Sequence, residues 1–188
     1  MKTDARGRYT RMRIREAFLK YLEKKPVSKI TVKEICNTAE INRATFYKHY
    51  ADPFNLLEKM EEELLEELRN EIRDYRKRTA QGLLSAILCS MKDKENAYTL
   101  IASENGDPSF AAHIADLFYR EYRPGIAQDL PCCTETQQDT VFLFIVGGCG
   151  HLISEWIRSG MQVPPEQVAA ELDRMCSAFI RAVKYYKE

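Results

Sequence analysis

Apolar residues recur along the chain at helical spacing, and no stretch shows the alternation that is typical of a β-strand. In the first such segment, Ile14, Ala17, Phe18, Tyr21 and Leu22 fall at positions i, i+3, i+4, i+7 and i+8, which form one buried stripe. Segments farther along the chain repeat this spacing between Pro, Gly and capping residues. The pattern predicts an all-α protein with about nine helices.

Capping signals divide the first fifty residues into three short helices. Pro26 ends the first helix, and Thr31 with Glu34 has the spacing of a capping box at the start of the second. Asn42 is a suitable N-cap for a third helix over residues 43–50. Because only a short turn separates the second and third helices, the three have the dimensions of a helix-turn-helix unit.

Longer helices are predicted in the rest of the chain. Asp52 followed by Pro53 is a start signal, and the helix that begins there has an apolar stripe over about five turns. Within a later helix, residues 141–146 are apolar on every side, so that helix must be central or lie at a subunit contact. The remaining helices are predicted over residues 80–93, 97–105, 108–122 and 134–159 and from 164 onward, with a loop over 124–133.

Charge is divided unequally along the chain, although the formal net charge is zero. Residues 1–50 hold 13 Lys and Arg residues against five Asp and Glu residues, a formal charge of +8, so the remainder carries −8. A basic head on an acidic body is expected when only one end of a protein meets a polyanion. A basic helix that is merely solvated would give the same pattern and stays open as the alternative.

Membrane proteins and enzymes are disfavoured by features that the sequence lacks. The longest uninterrupted apolar stretch has about ten residues, whereas a membrane span needs roughly 20. The N-terminus has no apolar segment of the kind found in signal peptides, so we expect a cytoplasmic protein with no membrane association. None of the common nucleotide-binding, metalloprotease or hydrolase motifs occurs. We therefore expect no catalytic residue, no cofactor and no metal site.

Cysteine usage indicates free thiols. Six cysteines are scattered along the chain without a C-x-x-C pair, and several fall on apolar helical stretches, where a free thiol behaves as a small hydrophobic group. A disulfide framework is not expected in a chain without a secretion signal. Cys132 and Cys133 are adjacent in the predicted loop, where an ordinary loop is favoured over a redox-sensitive pair.

The predicted third helix carries hydrogen-bond donors that suit a DNA groove. Arg43 offers a bidentate contact to guanine, and Thr45 offers a contact to a thymine methyl group or a base edge. Phosphate oxygens are within reach of the donors that follow, namely Tyr47, Lys48 and His49.

Two further features of this segment bear on a DNA contact. The capped helix start at Thr31 is a ready site for an anion such as phosphate. Phe46 and Tyr50 are expected to be core residues, because a three-helix unit needs large apolar side chains at its centre. The core is the alternative for Tyr47 as well, but a phosphate contact is favoured there.

The same segment resembles the DNA-binding domain of the TetR/AcrR family of transcriptional regulators. The resemblance covers about residues 8–60 and is most specific at 45–50, where the chain reads Thr-Phe-Tyr-Lys-His-Tyr. The later run at 156–166 is similar to the last two helices of one subgroup of the family. The resemblance implies an all-α homodimer, whose contact is a four-helix bundle built from the last two helices of each subunit. It also implies a C-terminal cavity that often binds a small effector and releases DNA.

Specific roles follow from the resemblance by position. It implies that Thr31 and Tyr47 hold phosphates, that Arg43, Ala44 and Thr45 face bases, and that Lys48 and His49 lie at the groove edge. Two positions depart from the family pattern. Glu40 occupies a turn position that is usually Gly, which costs about 1 kcal/mol if its φ is positive. Pro53 replaces the usual basic residue at the start of the fourth helix, so one backbone contact is missing or is made by the amide end of that helix.

Together these observations predict two domains, a helix-turn-helix DNA-binding domain at residues 1–52 and a helical effector-binding and dimerisation domain at 53–188. The two recognition helices of a dimer must lie about 34–36 Å apart, so the partner is expected to be double-stranded DNA with an inverted repeat. A small-molecule effector would tilt the long fourth helix and act as the signal for release. Its pocket is predicted from aromatic and polar side chains that could equally be core residues, namely Tyr98, Phe110, His113, Phe118, Tyr119, Phe142 and Phe144.

A different class of function stays open at this stage. The first helix is basic and amphipathic, so the head of the protein could instead bind another protein or an acidic membrane surface as part of a helical interaction module. A steep salt dependence and a preference for one palindrome would distinguish a DNA regulator from such a module.

Overall fold

The computed structural model describes residues 2–75, 80–122, 130–131 and 133–185. Across those ranges the chain forms nine α-helices, one short 3-10 helix and no β-strand, which confirms the predicted all-α fold. The helices are α1 (Lys2–Leu22), α2 (Val32–Ala39), α3 (Arg43–Tyr47), α4 (Pro53–Tyr75), α5 (Ala80–Asp93), α6 (Glu95–Ile101), α7 (Phe110–Tyr122), α8 (Glu135–Arg158) and α9 (Pro165–Tyr185).

By packing, the chain divides into two compact units. The first consists of Met1–Leu64 together with Leu100–Pro108, and the second consists of Leu65–Thr99 together with Ser109–Glu188. Helix α4 is continuous across the division, since it begins in the first unit and ends in the second. The functional boundary predicted after residue 52 stays a prediction.

In the first unit, α2 packs against α1 and α3 around a small apolar core. The predicted capping box forms at the start of α2: the Thr31 hydroxyl accepts a hydrogen bond from the Glu34 amide at 3.3 Å, and the Glu34 carboxylate accepts one from the Thr31 amide at 3.0 Å. The buried residues of this unit include Ile14, Phe18, Leu22, Ile35, Phe46, Tyr50, Leu56 and Met60.

Helix α3 is shorter than the sequence predicts, because it ends at Tyr47 rather than near residue 50. The Phe46 carbonyl accepts hydrogen bonds from the amides of both His49 and Tyr50, at 2.9 and 3.0 Å, and the chain closes into a turn there. Pro53 disfavours helical geometry at Asp52. The Asp52 carboxylate instead caps α4 by accepting a 2.8 Å hydrogen bond from the Asn55 amide.

Leu100–Pro108, which include most of the segment between α6 and α7, belong to the first unit. The sequence predicts helix for part of this segment. Helices were expected over 97–105 and 108–122, whereas the structure ends α6 at Ile101 and begins α7 at Phe110. Asn105 bonds to the chain around the end of α1 instead, with its side-chain amide donating to the Leu22 carbonyl at 2.9 Å and its carbonyl accepting from the Val27 amide at 2.8 Å. The Ile101 carbonyl, which a continuing helix would offer to the Asn105 amide, accepts a 2.7 Å hydrogen bond from the Asp107 amide, and the Asn105 amide donates to the Ser103 hydroxyl.

The second unit is built from helix pairs, α5 with α9 and α7 with α8. A left-handed turn separates α8 from α9, with Gly160 at φ 77° and the buried Met161 at φ 48°. Next to this turn, the Trp156 indole donates a 2.8 Å hydrogen bond to the Val163 carbonyl. The sequence correctly placed the end of α8 beside Gly160, where a glycine tolerates the positive φ.

Helix α8 leaves part of its apolar surface uncovered. Val141 and Phe142 are buried, whereas Leu143 is 56% exposed and Phe144 is 67% exposed. By length and composition this helix could cross a membrane, which for a single helix is weak evidence. Side chains this exposed do not fit a fully central position for α8. The subunit contact that the sequence left open stays a prediction.

Candidate nucleic-acid interface

Helix α3 buries one aromatic side chain and exposes its neighbours. Phe46 is fully buried and Tyr50 is 3% exposed, which confirms that both are core residues. Tyr47 is 56% exposed, and its ring meets the edge of Phe46 at a centroid distance of 5.7 Å. Since Arg43, Ala44 and Lys48 are also exposed, the helix presents most of the predicted DNA-contact residues to solvent.

Thr45 is held in place by the N-cap of the same helix. The Asn42 side-chain oxygen accepts hydrogen bonds from the Thr45 amide at 2.7 Å and from the Thr45 hydroxyl at 2.9 Å. With its proton engaged in this way, the hydroxyl retains only acceptor capacity. Thr45 is therefore suited to contact a thymine methyl group or to accept a hydrogen bond from an amino group on a base.

Thr31 is less available than its position at a helix N-terminus suggests. Its amide and its hydroxyl both donate to Glu34 Oε2, at 3.0 and 2.8 Å, and Lys25 donates to Glu34 Oε1 at 2.7 Å. The hydrogen bond from Lys25, followed by those from Thr31, lowers the pKa of Glu34 to about 2. A phosphate that binds Thr31 must therefore replace a carboxylate that is ionised at neutral pH.

Cationic side chains surround His49. Lys59 on α4 donates a 3.0 Å hydrogen bond to the His49 carbonyl, and its ammonium nitrogen lies 5.5 Å from the centroid of the Tyr50 ring. Burial, together with the nearby charges of Arg11, Lys59 and Lys48, lowers the pKa of His49. The imidazole is therefore neutral at pH 7, and the positive charge of this surface comes from its neighbours.

Arg11 and Lys59 were not among the residues predicted from the sequence. Each comes from a different helix, and nothing in the local sequence shows that they meet at His49. Helical geometry offered a partial signal for Lys59, because it lies in the second turn of α4, which begins shortly after α3. The family pattern has a basic residue at the start of α4, where this chain has the uncharged Pro53. Lys59 supplies positive charge near that N-terminal end of the helix.

Three further cations of the first unit, Arg13, Arg15 and Lys25, are paired with carboxylates. Arg13 lies 3.0 Å from Glu40, and Arg15 forms an ion pair with Glu63 and donates to the Tyr50 hydroxyl at 3.3 Å. Lys25 is paired with Glu34 as well. The formal charge of +8 already subtracts Glu34 and Glu40, so among these pairs only the one with Glu63, which lies outside residues 1–50, lowers it further. Arg11, Lys48 and Lys59 supply the positive charge nearest to His49.

Glu40 adopts the left-handed conformation that the family pattern implies, with φ 56° and ψ 44°. Its amide bonds back to the carbonyl of Asn37 near the end of α2. An L residue with a Cβ atom is strained in this conformation. The ion pair with Arg13 offsets little of this cost, since the Glu40 side chain is largely exposed.

The predicted effector residues lie at several places in the second unit. Phe118 and Phe142 line an apolar cavity of about 260 Å³ between α5, α7, α8 and α9. Among the described residues that line it, Asp173 is the one charged side chain. Tyr119 packs behind the cavity wall, with its ring 5.3 Å from that of Phe142.

The other four candidates do not line this cavity. Tyr98 and Phe110 are buried against each other, with ring centroids 6.0 Å apart, and burial raises the pKa of Tyr98. His113 is exposed on α7, and Phe144 lies on the exposed face of α8 with its ring 4.7 Å from that of Phe179. The assignment of the seven residues to an effector site stays a prediction.

Comparison with known proteins identifies the class. Residues 78–178 match the family model TetR_C_8, which is described as a transcriptional regulator C-terminal region. The chain is thus a transcriptional regulator. Because the match covers more than half of its length, the chain belongs to the TetR family of transcriptional regulators. No curated protein matches the sequence.

Solved structures of regulators share the fold. The dihydroxyacetone kinase operon activator DhaS is 19% identical with a TM-score of 0.68, over 92% of this chain and 97% of its own. A TetR transcriptional regulator from Streptococcus agalactiae 2603V is 23% identical with a TM-score of 0.62, over 94% and 98%. A TerR/AcrR family regulator from Aquifex aeolicus VF5 is 17% identical with a TM-score of 0.69, over 90% and 98%. At these identities the likeness is one of fold.

The left-handed residue at the end of α2 gives a test of local strain. Replacing Glu40→Gly removes the Cβ atom that is strained at φ 56°, and we expect it to raise the free energy of unfolding by about 1 kcal/mol. Glu40→Ala is the matched control, because it loses the same ion pair but keeps the Cβ atom. Urea denaturation monitored by circular dichroism measures both. Equal stabilities of the two variants would contradict the assignment of strain.

Proposed function

We propose that this regulator binds double-stranded DNA as a homodimer, at an inverted-repeat operator, and represses transcription from the promoter that it covers. The observation that carries the proposal is the exposed face of α3, which sits beside the cationic side chains around His49. Such a face offers base-reading donors and phosphate-binding charge at the same place. The protein would act in the cytoplasm, where it meets DNA.

The contacts divide by chemistry. Arg43, Ala44 and Thr45 at the start of α3 are proposed to face bases in the major groove. Tyr47, Lys48 and His49 are proposed to contact phosphates, with Thr31 as a further phosphate site once Glu34 has been displaced. Arg11 and Lys59 add positive charge at the groove edge and supply the electrostatic part of the affinity.

The homodimer is proposed to form through α8 and α9. Large apolar side chains are exposed on both helices, namely Leu143, Phe144, Leu152 and Met175. A shallow apolar groove of about 230 Å³ runs between the two helices on this side. Isolated exposed hydrophobic residues are ordinary, but a contiguous apolar face on two adjacent helices indicates a protein interface. A second copy of the same face is its natural occupant in a regulator that reads an inverted repeat.

Selection of bound duplexes from a random pool tests DNA binding. We expect one inverted repeat to be enriched, with half-sites about 10 base pairs apart or a multiple of that spacing.

Tyr47→Phe, which removes only a hydroxyl group, should weaken binding to every sequence about tenfold. Arg43→Ala should weaken binding and also relax the preference at one base pair.

Tyr9→Phe is the matched control for this experiment, since Tyr9 is equally exposed but lies on α1 outside the proposed contact set. Binding that prefers no duplex over a scrambled competitor would contradict the proposal. Unchanged affinity of the Tyr47→Phe variant would reject the residue assignment alone. Binding to acidic vesicles without a sequence preference would favour the interaction-module alternative.

A charge placed on the apolar face of α8 tests the dimer. Phe144→Glu should raise the dissociation constant of the dimer roughly 100-fold, because the side chain is a large anchor that the chain itself does not cover. The fold should persist, since Phe144 is already exposed. Met12→Glu, which places the same charge on another exposed apolar side chain in the first unit, is the control. Sedimentation analysis measures the association, and a Phe144→Glu variant with unchanged association would exclude this face.

The cavity of the second unit is proposed to bind a small apolar effector that lowers DNA affinity. An effector acts only through different affinities for the DNA-bound and released arrangements. Helix α4 is the proposed connection, because it is one continuous helix from the first unit into the second. Among proteins of this fold, a FadR from Thermus thermophilus is a repressor in complex with lauroyl-CoA, at 17% identity and a TM-score of 0.55.

The charge of the cavity predicts which effectors are accepted. Asp173 at the wall should repel a carboxylate, so octylamine and octanol should raise the melting temperature more than octanoate does. Val146→Phe fills the cavity and should abolish this stabilisation while operator binding without ligand is retained. Val163→Phe, outside the cavity, should behave as the unmodified protein does. Equal stabilisation of both variants in thermal melts would place the ligand elsewhere.

A further inference from the structure

Two cysteines of the second unit face each other across α8 and α9. The sulfur atoms of Cys149 and Cys176 are 3.3 Å apart, although 27 residues separate them along the chain. The sulfur–sulfur bond of a disulfide is about 2.05 Å long. A shift of roughly 1 Å would therefore bring the two sulfurs to bonding distance.

We propose that Cys149 and Cys176 form an intramolecular disulfide between α8 and α9 when the chain meets a hydroperoxide. The pair is then a covalent modification site, with a peroxide as its substrate class. This reaction does not depend on DNA binding, so it stands or falls apart from the proposed function.

The surroundings of the pair permit access by a small oxidant. Both cysteines are half-buried, and both line the apolar cavity of about 260 Å³ as well as the groove between α8 and α9. If a second copy covers the groove, the cavity still leads to the sulfurs from the side of α7. An organic hydroperoxide with an apolar body suits such a cavity better than a charged oxidant does.

The electrostatics of the pair assign the first step to Cys176. Either sulfur can donate the hydrogen bond between them; with the Cys149 thiol as the donor, the bond lowers the pKa of Cys176 below that of an ordinary thiol. The same hydrogen bond, together with burial, raises the pKa of Cys149. Cys176 is therefore the sulfur of the pair with the greater thiolate fraction, and the thiolate is the reactive form of a cysteine.

The reaction balances in two steps. The Cys176 thiolate attacks the terminal oxygen of the hydroperoxide, the O–O bond breaks, and the alkoxide takes up a proton and leaves as an alcohol. Cys176 is then a sulfenic acid. Cys149 loses its proton and attacks the Cys176 sulfur, the S–O bond breaks, and the oxygen leaves as water. Two thiols are oxidised by two electrons in total, and one peroxide is reduced.

The other described cysteines are less suited to this reaction. Cys36 is buried, and burial raises its pKa. Cys89 has a raised pKa as well, because it is partly buried and donates a 3.4 Å hydrogen bond to the Glu166 carboxylate. Of the adjacent pair that the sequence brought forward, Cys133 is half-buried and Cys132 lies outside the described residues. The pairing of positions 149 and 176 comes from helix packing, which the sequence spacing does not show.

The test treats the reduced full-length protein with one equivalent of cumene hydroperoxide. Digestion under non-reducing conditions, followed by mass spectrometry, should find Cys149 linked to Cys176 within a monomer that has lost two hydrogen atoms. Cys149→Ser should stop at the sulfenic acid, so dimedone should label Cys176. Cys176→Ser should give neither product at this site. Cys89→Ser, which removes a comparable half-buried thiol, should leave the yield unchanged.

A second measurement separates reactivity from simple proximity. Without oxidant, the rate at which iodoacetamide alkylates Cys176 should rise with pH through a midpoint that lies below the midpoint of Cys89. Cys149→Ala removes the S–H donor and should move that midpoint upward. A disulfide that joins two chains, a product that involves another cysteine instead, or an unmodified Cys149 and Cys176 pair would overturn the proposal. None of these readouts changes if the protein fails to bind DNA.

Discussion

The candidate DNA interface depends on the burial of Phe46. Helix α3 has only five residues, and a helix of that length does not persist in water without tertiary support. Phe46 supplies the support, since its fully buried ring lies against Tyr47 on one side and Tyr50 on the other. The Phe46 carbonyl also accepts hydrogen bonds from the His49 and Tyr50 amides, and these bonds form the turn at the end of the helix. Because the buried Phe46 ring holds α3 in place, the exposed side chains of the helix keep a defined direction.

Electrostatics in the first unit are selective rather than uniformly basic. Carboxylates neutralise Arg13, Arg15 and Lys25, and these pairs join elements of the unit to one another. Burial, together with the nearby charges of Arg11, Lys59 and Lys48, lowers the pKa of His49. These three cations add a local attraction for a polyanion beside the exposed face of α3. A uniformly charged surface would bind a duplex in many orientations, whereas a local one favours a single orientation.

The all-α fold and the starts of α2 and α3 could be predicted from the sequence because they depend on local signals. Helical spacing gave the elements, and the box at Thr31 and the cap at Asn42 gave the starts of α2 and α3. The end of α3 and the contacts of Asn105 depend on hydrogen bonds between segments far apart in the chain, so spacing alone could not supply them. The scatter of the effector candidates has the same cause. An aromatic residue on an apolar stripe fits a core or a cavity equally well, and only packing separates Phe142 from Phe110.

Helices α8 and α9 each contribute to an apolar outer face and to the wall of the cavity. Their outer side presents the apolar face that includes Phe144, and their inner side lines the cavity with Phe142. Cys149 and Cys176 lie between the two sides and touch both spaces. A bond between these sulfurs would fix the spacing of the two helices at that level, so the shape of the cavity and the shape of the outer face would change together. The proposed ligand binding in the cavity and the proposed association through the outer face would be coupled for the same reason, because one pair of helices forms the wall between them.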